Sequence, residues 1–169
     1  MRTFIAIEIS DELKRKLAEL QQDLPKDGRI RLVKPDNVHV TLKFLGEIDE
    51  SKVAEVKKAI ESVKFEPFTI EVAGIGVFPS ESFIRVVWVG AEDERLTKIA
   101  EELDRKIHSL GFRSEKFVSH LTITRVLGSI DLRDFLEKHK AGRFGQIEVK
   151  EIKLKKSTLT GEGPIYEDL

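Results

Sequence analysis

An α+β fold is predicted: two lobes related by a pseudo-two-fold axis, each a mostly antiparallel sheet backed by helices, with a central cleft between them. Three observations predict it. The order strand, helix, strand, helix, strand occurs twice, the second time about eighty residues after the first. The central strand of each copy carries the pattern His-x-Thr, at His39 and at His120. Hydrophobic residues make up 40% of the chain, enough for a core and too many for global disorder.

Thr3 to Ile9, rich in Phe, Ile and Ala, reads as the first strand. Ser10 is a good helix N-cap, and Leu13, Leu17, Leu20 and Leu24 follow at helical spacing. His39 to Leu42 lies in an apolar strand, and Val53, Val56, Ile60 and Val63 mark a second helix. Phe68 to Val72 is a strand, and Gly74 to Ser82 reads as a further strand ending in a turn. The cycle restarts with the strand Phe83 to Val89. A stronger helix through Leu96, Ile99, Ala100, Leu103, Ile107 and Leu110 ends at Gly111. His120 to Ile123, then a helix with Leu132, Phe135 and Leu136, then a strand from Ile147 to Leu154 complete the second copy. Gly161-Glu162-Gly163-Pro164 is expected to break structure, with the last residues fraying. The expectation is a single bilobal domain over 1–169, with lobes near 1–90 and 91–169, a hinge at Gly90 to Asp93, and strand exchange between the lobes left open.

Composition narrows the function. Lys and Arg number 29 against 30 Asp and Glu, so a strongly basic duplex-wrapping protein is excluded. The absence of cysteine excludes thiol catalysis, disulfides and thiolate metal sites. No apolar run reaches the ~18 residues that span a bilayer, and the N-terminus enters a strand-like segment, so a cytoplasmic location is expected. One Met, one Asn and 59 charged residues form the pattern of a thermophile protein. No His-x-x-x-His, calcium loop or Walker A sequence occurs, so neither metal nor cofactor is expected.

In a strand, residues i and i+2 share a face. His39 and Thr41 therefore project together, with Val40, Leu42 and Phe44 opposite. His120, Thr122 and Thr124 project together, with Leu121 and Ile123 opposite. Histidine exchanges protons near neutral pH, and a nearby threonine hydroxyl is a fixed donor. One His-x-Thr is a common accident. Two at equivalent places in two lobes bring the histidines to opposite sides of one cleft. That arrangement suits in-line phosphodiester cleavage: one imidazole deprotonates the attacking oxygen, the other protonates the departing one, and the threonines bond the non-bridging oxygens.

The residues at this point resemble a known family, the 2H phosphoesterases, and within it the RNA 2',3'-cyclic phosphodiesterases, also called 2'-5' RNA ligases. The likeness lies in Arg2 to Ile7, Asn37 to Gly46, Phe78-Pro79, Arg85 to Gly90, Phe117 with His120 to Arg125, and Ser157 to Leu159 with Gly163, Pro164 and Tyr166. Ser119 departs from it, since the family often has proline there. The resemblance implies hydrolysis of 2',3'-cyclic phosphates at RNA 3' ends to 2'-phosphates. It implies His39 as proton donor to the 3' oxygen and His120 as the base that activates water; the sequence itself leaves the pair symmetric. It also implies a reverse, ATP-independent ligation to 2'-5' linkages. RNA 3' ends, tRNA fragments among them, are the expected partners of a monomer.

Other residues keep two readings. Arg125 matches the family's basic residue, a phosphate contact, yet strict alternation puts it opposite His120, as a surface ion pair would be. Lys43 shares the alternating face of His39 and is either a phosphate neutraliser or a solvated lysine. Phe4 and Tyr166 either stack a base or pack in the core and tail. Arg85 needs a partner or a place in the cleft, and Trp88 reads as core. His108 and His139 read as helix residues. The rival functions are an RNA- or nucleotide-binding module without turnover, and the same chemistry on a cyclic nucleotide, an ADP-ribose cyclic phosphate or a 2'-5' oligoadenylate.

Overall fold

The computed structural model describes residues 1–169. Nine strands and four helices follow one another as β1 (Arg2–Glu8), α1 (Asp11–Gln22), β2 (Ile30–Leu32), β3 (His39–Glu47), α2 (Glu50–Glu61), β4 (Phe68–Ser80), β5 (Phe83–Gly90), α3 (Glu94–His108), β6 (His120–Val126), α4 (Arg133–His139), β7 (Arg143–Val149), β8 (Lys153–Thr160) and β9 (Gly163–Asp168). They form two antiparallel sheets, β3-β1-β8-β9 and β2-β6-β5-β4-β7. No helix is long and apolar enough to cross a membrane.

The two halves of the chain interlock. The first sheet takes β1 and β3 from the beginning and β8 and β9 from the end. The helix α1 leaves the first sheet and packs on β6 and β7 of the second. The helix α3 leaves the second sheet and packs on β3 of the first. Each is started by a side-chain cap: Ser10 Oγ accepts from Leu13 N–H, and Asp93 accepts from Arg95 N–H. Their apolar stripes supply Leu13, Leu17, Leu96, Leu103 and Ile107, all fully or almost fully buried. Each such side chain stabilises the fold by about 2 kcal/mol relative to exposure.

The elements differ from the sequence expectation in three places. The segment expected as one strand from Ile147 to Leu154 is two strands, β7 and β8, in different sheets. The segment from Phe68 to Ser80 is a single 13-residue strand, bent where Gly74, at φ 80°, lets the ladder with β5 skip a residue. The tail does not fray. It forms β9, paired with β8 from Thr160↔Gly163 to Lys155↔Asp168, because Lys155 and Lys153 on β8 clamp Glu8 of β1 and Asp168 of β9. Lys155 is buried in this network.

Candidate active site

The strands β3 and β6 lie beside each other where the sheets meet. They share one burial sequence: half-buried, buried, half-buried, buried, buried, exposed, buried. The repeat of two adjacent buried positions is a bulge. Thr41 faces Ala6 and Lys43 faces Ile5, leaving Leu42 without a partner. Thr122 faces Trp88 and Thr124 faces Val87, leaving Ile123 without one. A bulge reverses alternation beyond it. It therefore overturns the strict-alternation reading at four residues. Lys43 and Thr124 turn into the core, and Phe44 and Arg125 turn onto the face of the histidines.

Each bulge is held from behind by a buried polar group. Gln21 of α1 donates from Nε2 to the carbonyls of Val33 and Ile123, at 2.8 Å each. Lys43 is only 4% exposed. Its Nζ donates to Asp104 Oδ1 of α3 at 2.8 Å and to the Arg113 carbonyl. Burial alone would raise Asp104, but Lys43 and the Glu115 amide outweigh it and hold the carboxyl below its ordinary range. Lys43 thus cannot reach a phosphate in the cleft. Lys43→Ala should lower folding stability by about 3 kcal/mol, because it strands Asp104 and a carbonyl. Thermal denaturation checks this; an unchanged melting temperature with lost turnover would restore Lys43 to the substrate.

The two histidines are anchored alike. His39 Nδ1 lies 2.7 Å from the Asn37 carbonyl, and His120 Nδ1 lies 2.7 Å from the Val118 carbonyl. A carbonyl only accepts, so each Nδ1 carries a hydrogen and each Nε2 is left to take or give the working proton. Asn37 is itself tied to β9, its Nδ2 donating to the Pro164 carbonyl at 3.0 Å. Ser119, where the family often has proline, donates to the Ala91 carbonyl at 2.7 Å and fixes the entry to β6. A charge on His120 disfavours a second one on His39, so the rings lie within electrostatic range of each other.

Aromatic walls complete both sides. Phe4 stacks on His39 with centroids 4.8 Å apart, and Tyr166 meets the same ring edge-on at 5.3 Å. Phe78 and Trp88 meet His120 edge-on at 5.1 and 6.1 Å. Phe4 is 3% exposed, so its face serves His39 rather than a nucleobase, which corrects its reading as a substrate contact. Trp88 is not simply core: it lies over Gly76, where a Cβ would come within 2.0 Å of the indole. Tyr166, expected as tail or stacking residue, is a wall of the site because β9 exists. Burial pushes its phenol up, against the pull of Arg125 and Arg2.

Burial also pushes His39 down to about 4, with Lys155 and His120 adding to it and the Asn37 carbonyl and Glu8 opposing it. The hydroxyls of Thr41 and Thr122 make no hydrogen bond within the protein, unlike those of Thr3, Thr97, Thr124 and Thr160. They are donors left for something else. Arg85 caps the Phe83 ring at 4.3 Å and reaches the Val126 carbonyl. His108 bonds the Phe112 carbonyl, and His139 pairs with Asp23; neither joins the site. The carbonyls of Asn37 and Val118 had no signal in the sequence beyond their place two residues before each histidine.

Comparison with known proteins agrees with this duplicated geometry. A family model described as LigT like Phosphoesterase matches the chain twice, over residues 7–88 and 89–166. The RNA 2',3'-cyclic phosphodiesterase of Methanocaldococcus jannaschii is 44% identical over 171 residues, covering 99% of this chain and 97% of its own. That of Archaeoglobus fulgidus is 39% identical, covering 100% of this chain and 98% of its own. The crystal structure of a Thermus thermophilus protein, TT0787, superposes with a TM-score of 0.86 at 27% identity, over 100% of this chain and 95% of that one.

Proposed function

The chain belongs to the LigT-like phosphoesterase family, and on that premise we propose that it hydrolyses 2',3'-cyclic phosphates at RNA 3' ends to 2'-phosphates by metal-independent acid-base catalysis. Full-length relatives named RNA 2',3'-cyclic phosphodiesterase support the activity. The observation that carries the mechanism is the twin anchoring of His39 and His120, which leaves both Nε2 atoms free beside two unbonded threonine hydroxyls.

His120 Nε2 takes a proton from water as its oxygen bonds to phosphorus. The bond from phosphorus to the 3' oxygen breaks, and His39 Nε2–H gives that oxygen its proton. The products are a 2'-phosphate and a 3'-hydroxyl. Thr41 and Thr122 donate to the non-bridging oxygens as charge grows on them. Arg125 faces the same cleft and adds a fixed positive charge. A 5'-hydroxyl in place of water gives a 2'-5' linkage by the same step without ATP.

The test is an oligonucleotide ending in a 2',3'-cyclic phosphate, incubated with protein and excess chelator. Conversion to a 2'-phosphate is expected. A requirement for added metal would defeat the mechanism, a 3'-phosphate product would reverse the leaving oxygen, and no conversion would leave a binding module.

A further inference from the structure

Four exposed arginines, Arg29, Arg95, Arg133 and Arg143, each hold a carboxylate. Arg15, Arg105 and Arg113 hold none within 4.0 Å, and neither do Arg31 and Arg125. The last two stand directly opposite each other in the ladder between β2 and β6. Like charges at directly opposed ladder positions repel and weaken the pairing, so the fold gains nothing from this arrangement. Both are exposed. In the flanking pairs, Ile30↔Val126 and Leu32↔Thr124, the β6 residues Thr124 and Val126 turn into the core. The two guanidiniums therefore share the other side with Thr122 and His120. Across the cleft Tyr166 lies within range of Arg125 and also of Arg2, another arginine without a counter-ion. In a chain of net charge -1 this is a local concentration of uncompensated positive charge.

Strand rise puts Arg125 no more than about 10 Å beyond Thr122, and Arg31 one strand further out. That is past the scissile phosphate and within reach of the next one. A terminal cyclic phosphate has RNA on one side only, the 5' side, so the next phosphate is the one joining the terminal nucleotide to its neighbour. Side-by-side guanidinium forks suit a phosphodiester.

We propose that Arg31, set beside Arg125, binds the phosphodiester that precedes the terminal nucleotide, so that the enzyme prefers an RNA strand to a cyclic mononucleotide. This rests on the phosphodiesterase reading above. The experiment compares a dinucleotide ending in a 2',3'-cyclic phosphate, which has that phosphodiester, with a 2',3'-cyclic mononucleotide, which lacks it. In Arg31→Gln the dinucleotide preference in kcat/KM should fall about tenfold. The slope of log kcat/KM against log salt should become shallower by about 0.7 for the dinucleotide alone. Arg133→Gln, which removes a cation outside this pair, should change neither. An Arg31→Gln variant with the wild-type preference and slope would overturn the inference while leaving the phosphodiesterase reading intact. So would an equal fall on both substrates. Wild-type protein inert on both substrates would overturn that reading, and this inference with it.

Discussion

Replacing His39 or His120 with glutamine is expected to lower kcat/KM by about 100- to 10,000-fold for each histidine, the range of a positioned acid or base. Glutamine keeps most of the volume between Phe4 and Tyr166, or between Phe78 and Trp88. It can also donate to the carbonyl that anchors each ring. What it cannot do is exchange a proton at the position of Nε2. The melting temperature should stay close to wild type, which separates chemistry from folding. The two histidines act on the two ends of one displacement, so their losses should not multiply. The double variant should fall little below the worse single one. Steady-state kinetics on an oligonucleotide with a terminal cyclic phosphate decides the matter. Turnover near the wild-type level in either single variant would move the site elsewhere, and fully multiplicative losses would separate the two imidazoles into independent steps.

The duplicated order of elements and the pair of histidines were legible in the sequence because both are carried by side-chain type: alternating apolar residues, a helix cap, a repeated His-x-Thr. The bulges were not. Leu42 and Ile123 are ordinary strand residues, and nothing in their type says that the partner strand skips them. That single missing fact misplaces Lys43, Phe44, Thr124 and Arg125 together. Strict alternation makes Lys43 a phosphate-binding candidate and Arg125 a surface ion pair; the bulge makes the first a buried ion pair and leaves Arg125 its other reading, a cleft arginine. The tail failed for a related reason. Gly163 and Pro164 look like breakers, but β9 is fixed by partners more than a hundred residues away, Glu8 through the lysines of β8 and Asn37 through the Pro164 carbonyl. Long-range pairing overrides local propensity, and so Tyr166, expected to stack a base or pack in the tail, became a wall of the site.

The role of His39 is open to a sharper test, because burial holds it at about 4 while the proposed step needs it charged. His120 must be neutral at the same time, so the limb is read in His120→Gln: if His39 is the acid, the residual kcat/KM of that variant should fall about tenfold per pH unit above that value, since kcat/KM reports the protein before substrate binds. The matching limb of kcat should lie at higher pH, because a bound phosphate anion a few ångströms from the ring favours its cationic form. In the same variant an ascending limb of kcat/KM near 4 would make His39 the base and exchange the roles of the two histidines. Stability carries the same signature with a fixed sign. Above 6.5 the ring is neutral in both folded and unfolded chains and contributes no pH dependence. Between 6.5 and about 4 the unfolded chain takes the proton and the folded one resists it. Stability therefore falls as pH falls through that window, by at most about 3 kcal/mol. His39→Gln should remove that slope from urea unfolding measured between pH 7 and pH 4. If the slope survives the substitution, the ring is not held neutral by burial, and the displaced limb of kcat loses its cause.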